Sequence, residues 1–110
     1  METIKVISYI TDTGKEPFTD WLRGLDKKTR SIVSERITRL RGGNFGVCKP
    51  LKGYAGVYEL VINYGPGYRV YYGKQGDMIV ILLVGGEKKS QDRDIEKAHR
   101  YWLDYKELYL

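Results

Sequence analysis

The sequence predicts an α+β domain over residues 1–110, an antiparallel sheet in the order β-α-α-β-β-β-α with the helices packed against it. Two observations carry this reading. Apolar residues follow helical spacing from Pro17 to about residue 41, alternate with period 2 from residue 58, and return to helical spacing after residue 90. Clusters of Gly, Pro and Asp fall where the spacing changes.

Each element has its own local reason. Thr3 to Ile10 is rich in β-branched and aromatic types and ends at Asp12-Thr13-Gly14, so it reads as a first strand. Pro17 suits a first helical turn, and Phe18, Trp21, Leu22 and Leu25 share one helical face. Asp26 offers an N-cap for a second helix over 27–41, with Val33, Ile37 and Leu40 as its apolar stripe and Gly42-Gly43 as its stop. A Gly-rich connector runs to Gly56. Tyr58, Leu60 and Ile62 then alternate with Glu59, Val61 and Asn63, and Gly65-Pro66-Gly67 turns the chain into Tyr68–Tyr72. Gly76-Asp77 turns it again into Met78–Val84, which is apolar on both faces and fits the middle of a sheet. Gly85-Gly86 ends that strand, and Ile95, Ala98, Trp102, Tyr105 and Tyr109 mark a closing helix.

Composition excludes several classes. The longest apolar run has seven residues, far short of the roughly 20 needed to span a bilayer. One Cys and one His leave no Cys/His zinc cluster. The lone Cys48 and the absence of a signal-like N-terminus point to the cytoplasm.

The charge is +5 overall, and +4 of it lies in residues 26–41. With Lys49 and Lys52 of the connector, this helix offers a surface that attracts phosphate backbones; a solvated helix face is the plain alternative. Six of the 10 tyrosines lie between Tyr54 and Tyr72, a composition suited to stacking bases, or to packing a hairpin. Arg69, mid-strand in an aromatic run, needs a partner: a phosphate, or Glu59 across the hairpin. Lys88, Lys89, Ser90 and Gln91 follow the apolar strand and lead into the last helix, where anions are favoured. His99 reads as a boundary residue of the closing stripe.

Tyr58-Glu59-Leu60, Gly65-Pro66-Gly67-Tyr68-Arg69-Val70-Tyr71-Tyr72 and Leu83-Val84-Gly85-Gly86-Glu87-Lys88-Lys89-Ser90-Gln91, with Glu16-Pro17-Phe18 and Trp21-Leu22 before them, resemble the RelE/ParE toxin superfamily. Within it they are most similar to the HigB-like, phage Gp49-like addiction module killer group. The resemblance implies the toxin of a type II toxin–antitoxin pair, neutralised by a helix-turn-helix antitoxin and cutting mRNA on the ribosome without metal or cofactor. RNA would lie on the concave sheet face beside the last helix. Arg69 stands where the family keeps a phosphate-binding arginine, and Lys88 and Lys89 stand in its basic loop, which makes these three the expected catalytic residues. Lys49, Lys52, Tyr71 and Arg93 are the expected RNA-binding residues.

Two departures bear on activity. Val61 replaces a basic residue common in the family's Glu-Leu-Arg-Ile strand, and Asp92-Arg93-Asp94 stand where RelE-type nucleases place a tyrosine. Val61 reads as reduced cleavage, as a site shifted to Lys52 or Lys89, or as attenuation. A ParE-like inhibitor of DNA gyrase without nuclease activity, or a non-toxic remnant that binds RNA or antitoxin, are the alternatives.

Overall fold

A strand that is apolar on both faces must be covered on both, and the computed structural model, which describes residues 3–110, covers its sheet from above and below. The elements are β1 (Lys5–Ser8), α1 (Pro17–Arg23), α2 (Lys27–Arg41), β2 (Cys48–Pro50), β3 (Val57–Ile62), β4 (Tyr68–Gln75), β5 (Ile79–Glu87), a 3-10 turn (Lys88–Ser90) and α3 (Gln91–Tyr109). The five strands lie in the order β1-β5-β4-β3-β2. Phe18, Val33, Ile37 and Leu40 of α1 and α2 pack on Leu60, Ile62, Val70, Tyr72, Val80 and Leu82. Ala98, Trp102 and Tyr105 of α3 pack on the opposite face, on Val57, Tyr71, Ile81 and Leu83. The period-2 alternation of the strands is thus divided between two cores.

Three features differ from the sequence reading. The sheet is mixed, because β1 runs parallel to β5 while β3, β4 and β5 form the expected antiparallel meander. Apolar alternation carries no direction, and the long route between β1 and β5 permits either sense. The connector holds a short strand, β2, paired antiparallel with β3; three residues are too few for a visible alternation. Finally, β5 continues through Gly85 and Gly86. A Cβ at Gly85 would lie 2.2 Å from the Trp21 ring, and one at Gly86 would meet the Asp94 carboxylate, so these glycines admit close neighbours on either face. Among the described residues no helix is long and apolar enough to cross a membrane.

The N-cap at Asp26 forms as expected. Its carboxylate accepts from the Thr29 N–H at 3.2 Å and from the Thr29 hydroxyl at 2.6 Å. These bonds, the hydroxyl's first, hold its pKa below the usual carboxylate value. A depressed pKa stabilises the fold above the unfolded-state value, and that contribution is lost as pH falls through the folded-state value. Asp26→Ala is therefore expected to lower the thermal midpoint at about pH 7 and to lower it by less at about pH 3, below the unfolded-state value of about 3.9. Melting curves of the two proteins at each pH check this.

Candidate nucleic-acid interface

On the α3 face the sheet gathers charge around one carboxylate. Glu59 is 1% exposed. Lys49 lies directly across from it in register, its Nζ 4.0 Å from Oε1. Arg69 reaches the same oxygen diagonally, with Nε at 3.7 Å, because the residue directly opposite Arg69 is Val61. Gln91, the first residue of α3, donates Nε2 to Oε2 at 2.7 Å. A carboxylate this deep is costly unless charge and hydrogen bonds compensate it, and two cations with an amide do so. The ion pair weighed for Arg69 is therefore formed. Its Nη1 donates to the Tyr68 carbonyl at 3.2 Å, while its buried Nε has no hydrogen bond.

Arg69 also has an open side. With Asn63, Tyr64, Gly65-Pro66-Gly67 and Lys88 it lines a cup of about 290 Å³. Gly67 is at φ +85°, its N–H donates to the Tyr64 carbonyl at 2.9 Å, and its carbonyl accepts from the Lys88 N–H at 3.0 Å. The β3–β4 turn is thereby tied to the 3-10 turn. A Cβ at Gly67 would make only ordinary contact with Arg69 Nη1, at 3.5 Å, so it is the left-handed φ that calls for glycine here. Arg69 and Lys88 thus share one concave, positively charged surface at the rim of the sheet.

The other expected residues are distributed differently. Lys89, next to Lys88, faces a second cleft of about 450 Å³, together with Arg93 and Lys97 of α3 and Trp21 of α1. Its Nζ is 3.9 Å from Glu87. Lys52 lies exposed in the loop after β2 and lines neither cavity. The Tyr71 ring is fully enclosed, which leaves no face for a base. Its hydroxyl is buried without a hydrogen-bond partner, and burial, then the charges of Glu59 and Asp94, push its pKa well above the ordinary phenol value. Tyr68 and Tyr72 are buried too, and Tyr58 stacks on Tyr72 at 5.4 Å, so this part of the tyrosine cluster is packing. His99 lies edge-on against Tyr54 at 5.1 Å.

Nor does the basic helix α2 join Lys49 in one surface. Cys48 turns toward the α2 side, its Sγ 2.8 Å from the Tyr72 hydroxyl, and alternation sends Lys49 to the α3 side. Arg39 pairs with Glu35 at 2.6 Å one helical turn away, as on an ordinary solvated face. Asn63, Tyr64 and Lys97 line the two cavities without having been marked by any motif, and Trp21, marked only as part of the first helix and its Trp21-Leu22 motif, lines the second. Their roles follow from turn geometry and helix packing.

A five-stranded mixed sheet with helices on both faces is a RelE-like fold. The free-state structure of a mutant of the Escherichia coli toxin RelE matches it with a TM-score of 0.63 over 91% of this chain and 98% of that one, at 15% identity. The chain belongs to the family described as Phage derived protein Gp49-like (DUF891), which matches residues 20–102. A protein of Haemophilus influenzae described as uncharacterized is 44% identical over 82 residues, 74% of this chain and 81% of that one.

Proposed function

We propose that this chain is the toxin of a type II toxin–antitoxin pair, acting in the cytoplasm as a ribosome-dependent mRNA endonuclease. A cognate helix-turn-helix antitoxin would hold it in check. The observation that carries the reading is the cup itself, in which Arg69 is anchored from behind by Glu59 and offers its open side, with Lys88, to a group lying on the sheet rim. A phosphodiester suits that surface, because a guanidinium and an ammonium contact its non-bridging oxygens together.

The chemistry follows from the charge. Attack of a ribose 2′-hydroxyl on its own phosphate, its proton passing to solvent water or a ribosomal group, builds negative charge on the phosphorane and breaks the bond to the 5′-oxygen. Arg69, fixed before the substrate arrives, stabilises that charge, and the exposed Lys88 ammonium protonates the leaving oxygen. The ribosome would supply the remaining alignment.

Inducible expression tests the reading. Growth arrest with discrete mRNA 5′ ends that require active translation supports it. Arrest with a DNA-damage response and no cuts indicates a gyrase inhibitor, and no growth defect indicates a remnant. Val61→Arg adds a separate expectation. Position 61 is the direct partner of Arg69 in the β3–β4 register, so an arginine there adds a third cation to the pair formed by Arg69 and Lys88. The variant should cut mRNA faster by about tenfold and melt at a lower temperature, since like charges directly opposite each other repel. Mapped 5′ ends and a melting curve measure the two effects.

A further inference from the structure

We propose that the cleft between α1 and α3 is a second nucleotide subsite, holding the base and phosphate next to the nucleotide seated in the Arg69–Lys88 cup; this rests on the RNA reading above. Two half-buried aromatic residues line it, Trp21 on α1 and Tyr101 on α3. Both rings are fixed from behind. Tyr101 stacks on Tyr9 at 5.0 Å, and Trp21 packs against Phe18 at 5.8 Å and Tyr68 at 6.3 Å. The cleft exists because Gly85 and Gly86 have no side chains, so Trp21 sits directly over the strand.

Its charge favours an anion. Lys89, Arg93 and Lys97 recur at intervals of four residues along one side of the cleft. Against them stand Glu87, already 3.9 Å from Lys89, and Asp94, buried and bonded by the Ser90 hydroxyl. Fixed flat rings beside cations match a base and its phosphate, whereas an acidic peptide has no use for the rings. The cup and cleft are also contiguous. Lys88 lines one and Lys89 the other, and adjacent residues on the 3-10 turn stand only about 3.8 Å apart at Cα. A single strand passing over that turn would meet both sites in succession.

The experiment is a titration of the whole protein with a fluorescently labelled single-stranded oligouridylate of about six nucleotides at low salt. Anisotropy reports binding and tryptophan emission reports the cleft, since Trp102 is only 3% exposed and serves as an internal constant. Binding is expected to quench emission, and Trp21→Phe to remove the quench while weakening binding about tenfold. Arg93→Gln with Lys97→Gln should reduce the slope of log affinity against log salt by roughly 0.7 or more. Binding that Arg69→Ala removes, with no change in Trp21 emission and an unaltered salt slope in the paired variant, would overturn the subsite and leave the cup standing. Quenching by polyglutamate that matches that by RNA would overturn it in favour of an acidic peptide. Failure of the oligonucleotide to bind at all, followed by arrest without cuts in cells, would remove the subsite and the parent RNA reading together.

Discussion

Arg69→Ala is expected to abolish growth arrest on induction and to lower the rate of translation-dependent mRNA cutting by about 10²-fold or more. That loss alone would not distinguish a functional residue from a structural one. Removing the guanidinium also strips a partner from Glu59, which is 1% exposed, and an orphaned buried carboxylate costs about 3 kcal/mol. Lys49 and Gln91 remain to offset part of it. The paired variant Glu59→Gln with Arg69→Gln separates the two effects. It removes both charges at once, leaves two amides that can hydrogen-bond, and is expected to unfold within about 1 kcal/mol of the parent, while growth arrest does not return. Thermal unfolding of the parent, the single variants Glu59→Gln and Arg69→Gln, and the pair, with mapped mRNA 5′ ends for each, completes the cycle. Recovery of arrest in the charge-free pair would make Arg69 a structural residue and would withdraw it from the site.

Much of this architecture was legible because the local signals agreed. Asp26, Pro17 and Gly42 mark helix boundaries through backbone chemistry that needs no tertiary partner, and α1 and α2 begin and end where these residues require. The turn at Gly65-Pro66-Gly67 and the alternation on either side similarly delimit β3 and β4. What was not legible depends on register and on distance across the sheet. That Lys49 opposes Glu59 is a property of β2, whose three residues carry no pattern of their own. That Lys88 and Lys89 face different cavities follows from a 3-10 turn, in which successive side chains diverge about the axis. Tyr71 illustrates the limit from the other direction. It lies on the opposite face of the sheet from Tyr68 and Tyr72, as strand alternation requires, but alternation does not tell an exposed face from one covered by α3.

Gly73→Ala should be among the most damaging single changes, because the position that α3 takes on the sheet depends on it. A Cβ at Gly73 would lie 2.2 Å from the Trp102 ring, and Trp102 has no room to withdraw: it is 3% exposed and stacked on Tyr105 at 5.7 Å. On its other side the indole nitrogen would be 2.4 Å from a Cβ at Gly56. Overpacking at such a place costs about 3 kcal/mol, more than the roughly 0.5–1 kcal/mol that alanine recovers over glycine in a strand. Trp102→Leu alone should cost a similar amount through lost burial. Together the two changes should cost less than their sum by about 1–2 kcal/mol, since the smaller side chain leaves room for the added methyl. Denaturant unfolding of the two single variants and the pair measures that coupling, and strict additivity would show that Trp102 and Gly73 do not compete for the same space. The consequence reaches the site, because α3 carries Gln91 to Glu59 and Arg93 and Lys97 to the cleft. Gly73→Ala should therefore weaken RNA binding in whatever fraction remains folded, and the pair with Trp102→Leu should restore it along with stability.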